Sequence, residues 1–211
     1  MRDGGEAEAE AGADAAGLLL AAPRGVTTAR LSLRPVGPEH LPDLVRLKAD
    51  EATFGFMLHG TRTPERAREE LEDDVEFWTV RGYGTWSVFE RATGDFLGIC
   101  GLMERPDGRG VALRFALWPA CRGKGYAREA ARAALDFAHG PAGLSRVIGV
   151  ARETNAASRG VLEDAGMRAC GEFRNAGHRM IVYESLAADL SAPGRGGGGP
   201  GGRRGTEAGA T

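Results

Sequence analysis

Residues 122–130 read RGKGYAREA, and they follow an apolar run, FALWPAC, that is halted by Pro119. Two glycines and two cations thus stand where a strand pattern gives way to a helix pattern. Glycine lets a backbone come close to a ligand, and a helix start presents unpaired N–H groups that carry partial positive charge. That combination describes an anion site, to which Arg122 and Lys124 add whole charges.

The spacing narrows the anion. A nucleotide P-loop needs G-x-x-x-x-G-K-[ST], but here Trp118 stands at the first glycine and Gly125 at the hydroxyl position. A dinucleotide fingerprint starting at Gly123 would need glycine at position 128, which is Arg128. The pattern that does fit is [QR]-x-x-G-x-[GA], through Arg122, Gly125 and Ala127. A second block lies about 30 residues on: NAASRGVLEDAGM at 155–167 opens with Asn155 in a helix N-cap position and places Ser158 in the first turn.

Taken together, the two blocks resemble the GNAT acetyltransferase superfamily, in the branch that includes the ribosomal-protein N-terminal acetyltransferases. LSLRPV near the start and FLGICGL in the middle also fit, so the resemblance spans about residues 28–188. It implies an α+β fold with a mixed, largely antiparallel sheet, helices on both faces and two splayed central strands. It also implies acetyl-CoA as co-substrate. The main chain of Phe115, Ala116 and Leu117 would meet the pantetheine arm as an added strand does. Gly123, Lys124, Gly125, Tyr126 and Ala127, with Arg122, would hold the pyrophosphate, helped by a helix dipole of about half a charge. Asn155 would touch the cofactor as well as cap its helix, and the Ser158 hydroxyl would face the sulfur and support the departing thiolate as the catalytic group.

Relatives often carry a glutamate in the strand before the phosphate turn, as in V-E-L-G-Y, and a tyrosine about seven residues after the asparagine. This chain has Ala112 and Arg114 in VALRF, and Leu162 in place of the tyrosine. Without that glutamate, an easily deprotonated acceptor is favoured. At pH 7 an α-amine near pKa 7.8 costs about 1 kcal/mol to neutralise, and a lysine amine near 10.4 costs about 4.6 kcal/mol. The expected acceptor is therefore a protein N-terminal α-amine, with a polyamine, amino acid or antibiotic amine, or a silent acyl-CoA-binding module, as alternatives. Glu90 and Glu104 at strand ends are candidate substitute bases, and the seven acids between Glu65 and Glu76 read as a solvated helix face.

These groups need elements to position them. TARLSLRPV alternates as a strand, and PEHLPDLVRLKAD has helical spacing. Thr63-Pro64 opens a helix with Ala67, Leu71, Val75 and Trp78 on one face. Strands follow at 84–90, 95–103 and 111–118, separated by ATG and PDG turns. The helix after the phosphate turn carries Ala127, Ala130, Ala131, Ala134, Leu135 and Ala138 inward and stops at Gly140-Pro141. A strand at 146–151, a helix at 155–166 and two strands near 168–174 and 178–186 complete one domain at 26–190.

Composition bounds the rest. The 211-residue chain balances 27 cations against 29 anions, which gives no nucleic-acid bias, and no apolar run reaches the roughly 20 residues a bilayer helix needs. Residues 1–25, rich in Ala, Gly and acid, and 191–211, mostly Gly with Arg195, Arg203 and Arg204 interspersed, read as disordered tails. The acids ahead of AAGLLLAAP invert the basic start of a secretory leader, and Cys100, Cys121 and Cys170 lack paired spacing, so a cytoplasmic protein without disulfides or zinc is expected. His40, His59, His139 and His178 share no metal spacing. No residue code specifies the acceptor or the oligomeric state.

Overall fold

The computed structural model describes residues 24–190 apart from 56, 58 and 59. The expected tails, save Arg24 and Gly25, and His59 lie outside the described residues. The chain opens with β1 (Val26–Thr27) and β2 (Leu31–Pro35), where Leu31 and Leu33 alternate into the core as their period requires. Helix α1 (Leu41–Ala49) runs into the short α2 (Glu51–Phe54), and then α3 (Pro64–Arg81) begins where Thr63 accepts the Arg66 N–H at 3.2 Å. Gly82, at φ 71°, ends α3 with a left-handed turn.

Three antiparallel strands come next, β3 (Thr85–Glu90), β4 (Phe96–Glu104) and β5 (Val111–Leu117), followed by α4 (Tyr126–His139). The remainder is β6 (Arg146–Arg152), α5 (Ala156–Asp164), β7 (Arg168–Asn175), β8 (His178–Leu186) and α6 (Ala187–Leu190). The sheet order is β1-β2-β3-β4-β5-β6-β8-β7, antiparallel throughout except between β5 and β6. This is the mixed, largely antiparallel α+β architecture that the residue patterns imply.

Both faces are covered. On one, the alanine stripe of α4 lies against Cys100, Leu102 and Leu113. Small side chains there let the helix sit close over the strands that carry the site. On the other, Leu47 of α1 and Phe54 of α2 pack on Ile99 and Ala116. At the end of the sheet Trp78 of α3 meets Trp86 and Phe137 at ring-centroid distances of 5.1 and 6.1 Å. Among the described residues, no helix is long and apolar enough to cross a membrane.

Candidate active site

Strands β5 and β6 meet in a single register pair, Ala112 with Ile148, and then separate. The opposite edge of β5 stays paired to β4 along its whole length. Trp118 N–H donates to the Leu97 carbonyl at 2.9 Å, which fixes the alternation along β5. By that alternation the main-chain groups of Arg114 and Ala116 turn toward β4, and those of Phe115 and Leu117 turn into the gap. The gap is therefore edged by polar main chain that an extended ligand can pair with. Ala116 lies between the two gap-facing residues, with its own side chain buried under α1 and α2.

The gap leads to the phosphate-type turn. Gly123 and Gly125 adopt φ of 74° and 78°, left-handed conformations that a side chain would strain. Gly125 is the N-cap of α4. Among the described residues, the N–H groups of positions 123–128 find no acceptor at hydrogen-bonding geometry, so the turn presents a row of free donors with the α4 dipole behind it. Lys124 is exposed. It stands between two open grooves, one of about 390 Å³ that includes Arg46, Trp118 and Cys121, and one of about 540 Å³ that includes Arg30, Arg128 and Arg132.

Several predicted turn residues also brace the structure. Arg122 donates to the Ala52 carbonyl at 2.8 Å and so ties the turn to α2. The Tyr126 ring is buried, its hydroxyl donates to Glu90, and the Arg30 guanidinium lies 4.7 Å above it. Only the Tyr126 main chain faces the turn, and Glu90, a candidate substitute base, is engaged by this bond. Ala127 is partly buried at the first turn of α4. Burial raises the Cys121 thiol above its ordinary pKa, which suits packing rather than nucleophilic attack.

On the far side of the gap, Asn155 caps α5 by accepting the Ser158 N–H at 3.0 Å. That bond uses the side-chain oxygen and leaves the amide nitrogen available. Ser158 is partly buried, and its hydroxyl has no partner among the described residues. Leu162, where relatives carry a tyrosine, is buried against Gly149 of β6. A Cβ on that glycine would come within 2.7 Å of the leucine. The position therefore cements α5 to β6 and offers no acid.

The helix acids divide in a way the sequence reading did not foresee. Glu65, Glu69, Glu72, Asp73 and Glu76 are exposed, as a solvated face requires, but Glu70 and Asp74 turn inward beside Ala67 and Leu71. Glu70 accepts from Lys48 at 2.8 Å and from Arg62 at 2.5 Å. Desolvation works to raise the Glu70 pKa, but these two cations outweigh it and hold it below the ordinary value. Asp74 accepts from the Thr85 hydroxyl at 3.2 Å, and burial pushes its pKa up to about 6 against the opposing pull of Lys48, Thr85 and Arg114. Their i, i+4 spacing is shared by exposed acids of the same helix, so no local signal singles them out. Two of the four histidines brace the structure: His139 bridges the Leu144 carbonyl and the Ser185 hydroxyl at 2.7 and 2.9 Å, and His40 accepts the Gly37 N–H at 3.1 Å.

A splayed strand pair, a glycine turn with free amides and a capped helix bearing a free hydroxyl thus converge at one end of the sheet. The family model of the acetyltransferase (GNAT) domain matches residues 30–168, a span within which every one of these features falls. The chain belongs to the GNAT acetyltransferase family. The matched span is a domain of the acetyltransferase kind. An FsC-acetyl coenzyme A-N(2)-transacetylase from Aspergillus fumigatus is 32% identical over 162 residues, covering 70% of this chain and 66% of that one. The GNAT chain described here therefore spans just under two thirds of that relative's length. Among solved structures, a GNAT acetyltransferase from Bacillus anthracis has a TM-score of 0.68 at 20% identity, covering 78% of this chain and 99% of the other. A RimL ribosomal L7/L12 alpha-N-protein acetyltransferase in complex with coenzyme A has a TM-score of 0.66 at 18% identity, covering 77% and 97%. These two likenesses establish the fold.

Proposed function

We propose that this GNAT protein binds acetyl-CoA along the β5–β6 gap and transfers the acetyl group to a primary amine, with a protein N-terminal α-amine as acceptor. The observation that carries the reading is the single Ala112–Ile148 pairing, which leaves the main chain of Phe115 and Leu117 open along a path ending at the free amides of 123–128. Acetyl-CoA, when bound, supplies a thioester carbonyl open to attack by a neutral amine. The chain's own residues supply the rest. Phe115 and Leu117 pair with the pantetheine amides, the turn from Gly123 to Ala127 with Lys124 neutralises the pyrophosphate, and Asn155 orients α5 beside it. The Ser158 hydroxyl donates a hydrogen bond where negative charge grows as the thiolate leaves, an interaction that gains strength in the transition state.

Support for an α-amine comes from β5 itself. Ala112 is buried and apolar, so that strand holds no carboxylate to take a proton from a strongly basic amine. The fold shared with an alpha-N-protein acetyltransferase agrees with this. A small-molecule amine is the second reading, favoured by the 32% identity to an FsC-acetyl coenzyme A-N(2)-transacetylase, whose name specifies no protein N-terminus. Coenzyme A release across N-terminal peptides, α-blocked lysine peptides and small amines separates the two. Turnover confined to free α-amines is the expected result. Preference for a small amine would move the assignment to the second reading, and acetyl-CoA binding without release for any acceptor would make the chain a silent module.

A further inference from the structure

Arg114 rises from a low strip of sheet that Met103 and Ile99 of β4 flank on either side. Its neighbours on the same face of β5 are Ala112 and Ala116, and the residue directly opposite on β4 is Gly101. A Cβ at Gly101 would lie 2.6 Å from the Thr85 Cα, so this floor admits no side chain of its own. Arg114 sits two residues past the last β5–β6 pairing position, at the mouth of the gap.

The charges around this pit are unevenly engaged. Lys48 and Arg62 both close on Glu70, and Asp74 takes the Thr85 hydroxyl. Arg114 has no carboxylate within 4.0 Å among the described residues, and its one hydrogen bond runs from Nη1 to the Met103 thioether sulfur at 3.2 Å. A thioether is a weak acceptor, so nearly all of the guanidinium's five donors remain unengaged. The side chain is open to solvent, yet enough protein surrounds it that desolvation lowers its pKa, with the Asp74 and Glu70 charges opposing. A guanidinium with free donors in a partly desolvated, water-accessible pit matches a planar carboxylate bidentately.

We propose that Arg114 is the acceptor-recognition residue and that the acceptor is an amine carrying a carboxylate, which the guanidinium binds in the pit floored by Ala112, Gly101 and Ala116. The inference rests on the N-acetyltransferase reading and narrows it. The carboxylate has two sources: an acidic side chain close to a protein N-terminus, or the main-chain carboxylate of a free amino acid. Arg114 acts as a specificity determinant, and the reacting atoms lie beyond it in the gap.

Matched acceptors test this. Peptides beginning Ser-Glu and Ser-Gln, each with a C-terminal amide, are compared by kcat/KM with free L-serine and L-serinamide. The acid member of the peptide pair, or of the amino-acid pair, is expected to exceed its amide by at least tenfold, and the favoured pair identifies the source. In Arg114→Gln that ratio falls to near one, and Arg114→Glu inverts it. A ratio unaffected by either substitution overturns the proposal. Calorimetry on the coenzyme A-saturated protein, with N-acetyl-Ser-Glu-amide against N-acetyl-Ser-Gln-amide and with N-acetyl-L-serine against N-acetyl-L-serinamide, gives a readout without turnover. Acid binding at least tenfold tighter than amide in either pair, lost in Arg114→Gln, supports the proposal even if no acceptor is acetylated, in which case the enzyme reading alone fails. Equal or undetectable binding within both pairs overturns it, and acetyl-CoA affinity verifies that each variant is folded.

Discussion

Gly125→Ala separates the cost of the turn's shape from the cost of losing its ligand. Gly125 has φ 78°, a conformation in which an L-residue pays about 1–2 kcal/mol. The added Cβ meets only the Arg30 Nη2 at 3.4 Å, an ordinary contact, so strain is nearly the whole folding penalty. For a domain of this size that corresponds to a Tm lowered by roughly 2–8 °C. Binding suffers separately, because the methyl group stands beside the amides of the α4 start, and any relaxation of the strain turns those amides away. Losing one charge-assisted bond worth about 1.5–3 kcal/mol weakens acetyl-CoA by roughly 10- to 150-fold. Calorimetric titration with acetyl-CoA, alongside a thermal melt, reads both quantities. A variant with the lowered Tm but parental affinity would refute the phosphate role of this turn.

Further substitutions probe the other groups. Ser158→Ala removes a hydroxyl that has no protein partner, so stability should hold while kcat falls by roughly 10- to 1000-fold at little change in acetyl-CoA affinity; a parental kcat would end the thiolate role. Asn155→Ala breaks the cap on α5 and should cost about 1 kcal/mol in denaturant unfolding, with weaker acetyl-CoA binding if the amide also contacts it. Asp74 titrates near 6 when folded against 3.8 as an unperturbed group, so between about pH 4 and 6 the native state binds more protons than the unfolded chain and stability falls as pH rises. Lys48, Arg114 and Glu70 are the charges that face it. Asp74→Asn should therefore gain up to roughly 3 kcal/mol at pH 8 and nothing at pH 3.5, as read by urea unfolding at both values; equal gains at both would rule out a buried carboxylate.

Periodic segments announced themselves because their periods coincide with their burial. The Ala stripe of α4, the alternation of β2 and the Thr63 cap all carry local signals that tertiary packing reinforces. The two-residue β1 and the four-residue α2 and α6 are shorter than one reliable period, so their existence depends on neighbours that a local pattern does not contain. The glycine turn was readable because it needs backbone freedom, which only particular residue types supply. The inward turn of Glu70 and Asp74 was hidden because seven acids on one helix ordinarily mean solvent, and what reverses that reading is the approach of Lys48 from α1 and Arg62 from the loop before α3. Arg114 reads in sequence only as a departure from a pattern; its setting emerges once Gly101 is paired opposite it.

The central claim is that the β5–β6 gap and the glycine turn form one acetyl-CoA site. Backbone-amide hydrogen exchange of the full chain, with and without saturating acetyl-CoA, measures this at residue level. The account predicts added protection at the amides of Phe115 and Leu117 and across Gly123 to Arg128, which are unpaired in the free protein. Protection confined to another part of the sheet, such as the β7–β8 hairpin, with these amides unchanged, would contradict it.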